Sequence, residues 1–309
     1  MLTAGGMKGS GAWCGASRGA WTPLTMRPVS DRFENRDSTL FARTAMLILA
    51  LCFGLRIADV FLIRSDEWFG ELILSKVVGL SIVIAYAIWS GHGLDRIGFR
   101  KTSFTSVIWI GFGLTAAVMA ATFLVQFLFL RAQGADPNFS VGIQGFTLAQ
   151  QAEGQNGFLP FTRILVFNLV NATMEESLFR GLLLTHLVVT MSRMRANVVQ
   201  ALLFGLWHIV WPLRAFYDGE MALGAAMSYG AGYMLVATMM GFAWGCFFIW
   251  FRSLWVGIFA HAFQNIALNV FQITTAAGAS GLALFTTLEA LVFVALLPLV
   301  FGLSKRWRG

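Results

Sequence analysis

Three short segments place ionisable and amide side chains at helical spacing. Glu175, Glu176 and Arg180 share the first, His208 follows Phe204 by four residues in the second, and His261 precedes Asn265 by four in the third. A carboxylate, two imidazoles and a carboxamide are the parts needed to activate a water and to hold the oxyanion of a carbonyl hydrate. Glu175, His208 and His261 also form a possible three-ligand zinc set with water as the fourth ligand. Against a metal, there is no HExxH, and the glutamate that would bind zinc is the one wanted as base.

Helical geometry separates the two carboxylates. Glu176 and Arg180 are four apart with the acid first, the favourable order for an ion pair on one helix face, so both are read as structural support. Glu175 points about 100° away from Glu176 and about 140° from Arg180, on the side of Asn168 and Asn171. It is left with no local countercharge and is read as the free carboxylate, suited to a general base. His261 and Asn265 share a face that Gln264, Asn269 and Gln272 extend into a polar stripe, which lines a cavity or a partner helix.

These groups must be held by elements that lipid surrounds. Of the 309 residues 57% are hydrophobic and only 12% charged, against about 25% charged in soluble domains. The mean hydropathy is +0.71. So much apolar surface does not fit inside one water-soluble core of this size. Eight apolar stretches approach the ~20 residues that a helix needs to cross a bilayer. They cover 41–63, 72–90, 104–130, 161–190, 197–212, 225–251, 254–273 and 282–303. The expected fold is therefore an all-α polytopic membrane protein of about eight spans. Residues 1–40 read as a flexible basic tail, 41–303 as the membrane domain with the polar segments in 161–273, and 304–309 as a basic C-terminal tail; Met26 is an alternative start.

A net charge of +7 is a topology signal in such a chain and not a nucleic-acid footprint. With both termini in the cytoplasm, fifteen Lys and Arg flank the spans on the inside, against Arg64, Arg131 and Arg214 outside. That orientation is expected, with Glu175 near or somewhat past the midplane and His208 and His261 about 16 and 10 Å from the inner face at ~1.5 Å per residue. The three groups then meet in the inner half of the membrane. Cys14, Cys52 and Cys246 are too few and too far apart for a disulfide framework or a CxxC site. Ala237, Gly241 and Gly245 form a small-residue face for close helix packing. Arg56 and Asp59 are expected to pair at i,i+3, Glu289 either lines the cavity or makes a packing contact, and His186 lies about 16 Å along the helix from Glu175, too far for direct chemistry.

In order and spacing, Glu175-Glu176-x-x-x-Arg180, Phe204-x-x-x-His208 and His261-x-x-x-Asn265 resemble the EExxxR, FxxxH and HxxxN motifs of the CPBP family. This family comprises CAAX prenyl endopeptidases and bacteriocin-processing intramembrane proteases. The resemblance covers residues 161–270, and helices one to three match only as generic spans. It implies an endopeptidase of the cell membrane whose site lies in a membrane cavity open to the cytoplasm. Glu175 and His208 would orient and deprotonate water, His261 and Asn265 would stabilise the oxyanion, and Glu176 and Arg180 would buttress the site. The implied partners are the bilayer and a peptide or prenylated protein substrate, with zinc the one cofactor to consider. A non-catalytic membrane scaffold or a proton-coupled carrier would use the same polar cluster for assembly or proton relay. The absence of repeats or paired broken helices weighs against the carrier.

Overall fold

A computed structural model describes residues 38–69, 72–91, 93–100, 104–142, 158–276, 278–279 and 282–307. The chain divides into Met1–Arg36 and Asp37–Gly309, and every described residue belongs to the second unit. The expected N-terminal tail up to residue 37, the alternative start at Met26, Cys14 and the last two residues lie outside the described residues.

The helices are α1 (Ser38–Ala58), α2 (Ser65–Phe69), α3 (Leu74–Trp89), α4 (Phe104–Ala132), α5 (Phe158–Glu176), α6 (Thr185–Leu187), α7 (Arg193–Trp207), α8 (Val210–Tyr217), α9 (Leu223–Phe251), α10 (Leu254–Val270) and α11 (Leu282–Trp307). Asp59–Ile63 extends α1 as a π turn, and Ser177–Leu184 joins α5 to α6 in the same wider winding. Among the described residues five helices are long and apolar enough to cross a membrane: Thr39–Ile63, Trp109–Ala132, Arg193–Tyr217, Leu223–Phe251 and Phe285–Lys305. Leu74–Trp89 and Leu254–Val270 are apolar but shorter. The helix carrying Glu175 is not among the five, being interrupted by Asn168, Asn171, both glutamates and Arg180. Burial is inverted relative to a water-soluble protein. Leu47, Leu62, Leu128, Met227 and Leu235 are exposed while Arg56, Lys76, Glu175, Glu176 and Arg180 are buried, the arrangement expected when the solvent is lipid. The chain is an integral membrane protein.

Three features depart from the sequence reading. First, the fold is not purely helical. β1 (Asn138–Val141) pairs antiparallel with β2 (Phe271–Thr275), which also carries β3 (Gly278–Ala279). The helix expected over 254–273 therefore ends at Val270, and Gln272 lies opposite Ser140 in the sheet, off the polar stripe. The β-branched run Ile273, Thr274 and Thr275 favours extended backbone, and Phe271 stacks on Phe139 at 5.7 Å. Second, the run expected over 197–212 breaks after Trp207, not at Pro212. Pro212 sits in the first turn of α8, where its missing N–H costs nothing. Third, α11 continues to Trp307, through the first residues of the expected tail.

Tight crossings fix the bundle. A Cβ on Gly111 of α4 would strike the carbonyl oxygen of Val256 in α10, and one on Gly245 of α9 would strike the Asn197 amide of α7. Gly241 meets Phe204 of α7 in the same way, so the small-residue face of α9 is a helix contact. The antiparallel run of the helices gives the bundle two ends. One holds the start of α1, the end of α11 and the α9–α10 corner at Arg252, where Leu254 N–H donates to Gly98 O. The other holds α2, α8 and the sheet. There Arg214 bridges Asp66 at 2.7 Å, Glu67 at 3.3 Å and Asp218 at 3.2 Å, and Arg64 also pairs with Asp218.

Candidate active site

Glu175 sits at the end of α5, two residues before the π-wound stretch, and its side chain is buried. A π segment offsets the helix face locally, and such bulges recur beside functional groups. Its two oxygens have different surroundings. Oε1 accepts from Trp207 Nε1 at 2.9 Å and from Lys76 Nζ, with Arg56 Nη1 at 3.6 Å. Oε2 has no hydrogen-bond partner among the described residues and lies 3.7 Å from His261 Nε2. Glu175 is thus not the uncompensated carboxylate expected from its own helix. Its countercharges come from α1 and α3, which spacing along α5 does not reveal.

The neighbouring carboxylate is committed elsewhere. Glu176 Oε1 takes Arg180 Nη1 at 3.0 Å and His261 Nδ1 at 3.2 Å. Arg180 also donates to Gly241 O at 3.0 Å and lies 4.4 Å over the Phe204 ring. Gly257 leaves room for Glu176, since a Cβ there would stand 2.5 Å from Oε2. His261 is held from both sides, by Glu176 and by Trp244 stacked at 4.2 Å. The i,i+4 pair read from the sequence is present, and it reaches across to orient an imidazole.

His208 follows the last residue of α7, in the turn before α8. Its Nδ1 contacts Phe204 O at 2.7 Å, so a proton on Nδ1 leaves Nε2 as the free ring nitrogen. Phe204 packs edge-on against His208 at 4.7 Å and Phe179 at 5.0 Å, which explains an aromatic ring four residues before the histidine. Tyr233 packs edge-on against His208 from α9.

Glu175, His208, His261 and Asn265 all line one cavity of about 60 Å³, against the ~10–15 Å³ that one water requires. Asn168 and Asn171 line it as their shared face predicts, with Arg56, Lys76, Tyr233, Leu72, Phe167 and Trp211. Several of these residues lie in the half of the bundle that ends in α2 and α8, away from the start of α1 and the end of α11.

The other candidates fall outside the cavity or change partner. Arg56 and Asp59 do not pair. The π turn carries Asp59 towards the start of α3, where it accepts Ser75 N at 2.7 Å and Ser65 N at 3.4 Å, while Arg56 lies 4.8 Å over the Trp207 ring. Glu289 accepts from Gln264 at 3.1 Å, and His186 contacts Tyr86 and Leu182 O. Lys76 and Trp207 were not singled out from the sequence. The signal for Lys76 was a lone lysine one turn into an apolar stretch, and the signal for Trp207 was an indole N–H beside a polar motif, which needs a partner once buried.

A zinc ion does not fit this arrangement. Among the described residues no three His, Cys, Asp or Glu side chains converge as ligands, and the Glu175 carboxylate is already met by Lys76 and Arg56. A dication would have to sit beside two cations.

Residues 157–267 match the family model described as Rce1-like, type II CAAX prenyl endopeptidase Rce1-like. The matched stretch is a little over a third of the chain and contains all three polar segments. It agrees with the resemblance read from those segments, and the family is one of proteases. No curated protein matches the chain.

Removing Arg180 leaves the buried Glu176 carboxylate with His261 alone. We expect Arg180→Ala to cost about 3–5 kcal/mol, seen as a lower unfolding temperature in detergent. Adding Glu176→Gln should recover part of that loss, because it removes the stranded charge.

Proposed function

We propose that the protein is an intramembrane endopeptidase that hydrolyses a peptide bond of a membrane-associated peptide or protein, prenylated substrates included, by direct attack of water. The observation that carries this reading is the division of labour at Glu175. One oxygen is tied to Trp207 and Lys76, and the other is left without a hydrogen bond at a water-sized cavity shared with His208, His261 and Asn265. The Rce1-like match over 157–267 supports the same class of chemistry.

In this reading a water sits between Glu175 Oε2 and His208 Nε2. As its oxygen bonds to the carbonyl carbon, its proton passes to Glu175. Asn265 Nδ2 donates to the oxyanion, and Glu176, on Nδ1, holds the His261 ring against the same cavity. Collapse of the tetrahedral intermediate breaks the C–N bond, and the proton returns to the leaving amine. Glu175→Gln should abolish turnover in liposomes. Asn265→Ala should lower kcat by about 10²–10³, and Trp207→Phe, which removes the donor to Oε1, should lower kcat about tenfold with little change in KM. Unchanged kcat in all three variants at matched folding would contradict the mechanism.

The charge bias supports an orientation with the end carrying Arg96, Arg100, Arg193, Arg195, Arg252 and Lys305 in the cytoplasm. The cavity then reaches towards the opposite face. In a chain whose own cysteines are replaced by alanine, Glu220→Cys should react with an impermeant maleimide on intact cells and Met194→Cys should not. The reverse pattern would turn the cavity towards the cytoplasm.

A further inference from the structure

We infer that Arg56, backed by Lys76, forms a carboxylate-binding subsite for the substrate within the catalytic cavity, an assignment that rests on the endopeptidase reading. Arg56 is 2% exposed, and its Nε and Nη1 have no hydrogen-bond partner among the described residues. Its closest anionic atom, Glu175 Oε1 at 3.6 Å, is already taken by Trp207 and Lys76. Asp59, one turn further on, is spent on the backbone N–H groups of Ser75 and Ser65. The Trp207 ring supports the guanidinium from one side, at 4.8 Å.

Among the described residues the cavity wall sets Arg56 and Lys76 beside Glu175, and the Arg56 guanidinium keeps unused donors there. Burying such donors is costly unless an acceptor arrives. Guanidinium N–H donors of this kind match a carboxylate, which accepts charge-assisted hydrogen bonds from them. A peptide segment with no carboxylate would leave those donors without a charged acceptor, whereas one bearing a carboxylate would satisfy them. The acceptor is either a free C-terminus or an Asp or Glu side chain near the scissile bond, and both present the same group.

The test uses the full chain in liposomes and palmitoylated peptides in three matched sets. These are free C-terminal acids without Asp or Glu, the same sequences as C-terminal amides, and amides with a single Glu moved along the sequence. Cleavage is read by mass spectrometry. We expect the wild type to prefer one carboxylate-bearing set over the plain amides by about tenfold or more, roughly the discrimination of one charge-assisted hydrogen bond. The preferred set identifies the source of the carboxylate. Arg56→Gln should reduce the preference to within about twofold of unity, chiefly through KM, and Arg56→Lys should keep part of it. Equal cleavage of all three sets by the wild type, or an unchanged preference in Arg56→Gln, would overturn the subsite. A second readout needs no turnover: retention of the same peptides on the Asn265→Ala chain in nanodiscs. Selective retention of a carboxylate-bearing set without cleavage by the wild type would support the subsite and count against the endopeptidase reading. Equal retention of all three sets would overturn the subsite and leave that reading standing.

Discussion

The arrangement depends on one buried carboxylate. Taking an ion out of water costs several kcal/mol even after relaxation, and that cost is offset only where countercharges and hydrogen bonds meet it in good geometry. Lys76 from α3, Arg56 from α1 and the Trp207 indole from α7 supply them for Glu175 of α5. Four helices are thereby joined at one atom, Oε1. Because two donors and the Arg56 charge converge on that oxygen, Oε2 is left towards the cavity, and an asymmetric environment turns a structural ion cluster into a candidate base.

Around this centre a second carboxylate performs the opposite task. Glu176 spends itself on Arg180 and His261, and Arg180 in turn is tied to Gly241 O and the Phe204 face. Close crossings make the contact possible. Gly257 yields space to Glu176, and Gly241 lets α9 approach Phe204. The two glutamates, adjacent in sequence, face different partners because a helix turns about 100° per residue.

What was legible in the sequence follows from what is local. The Glu176–Arg180 pair, the shared face of Asn168, Asn171 and Glu175, and the close-packing face of α9 are set by helical periodicity, so the spacing alone reveals them. The countercharges of Glu175 are not local. Lys76 is 99 residues away along the chain, and no periodicity connects it to Glu175. Arg56 and Asp59 illustrate the limit differently. Their i,i+3 spacing suggests a pair, but the change to π winding at Asp59 sends the two side chains to different partners. The end of α10 escaped for a related reason. Apolar composition continues past Val270, yet β-branched residues and pairing with β1 convert the last turn into a strand.

The central claim is that the carboxylate at position 175 does chemistry and is more than a clasp for α1, α3, α5 and α7. It is tested most directly by comparing the terminal peptides of membranes that hold the wild-type chain with those that hold Glu175→Gln at equal abundance and equal thermal stability. The account predicts protein termini present with the wild type and missing with the variant. Identical terminal profiles, with the variant still supporting the cellular role of the protein, would contradict it and leave Glu175 as a packing residue.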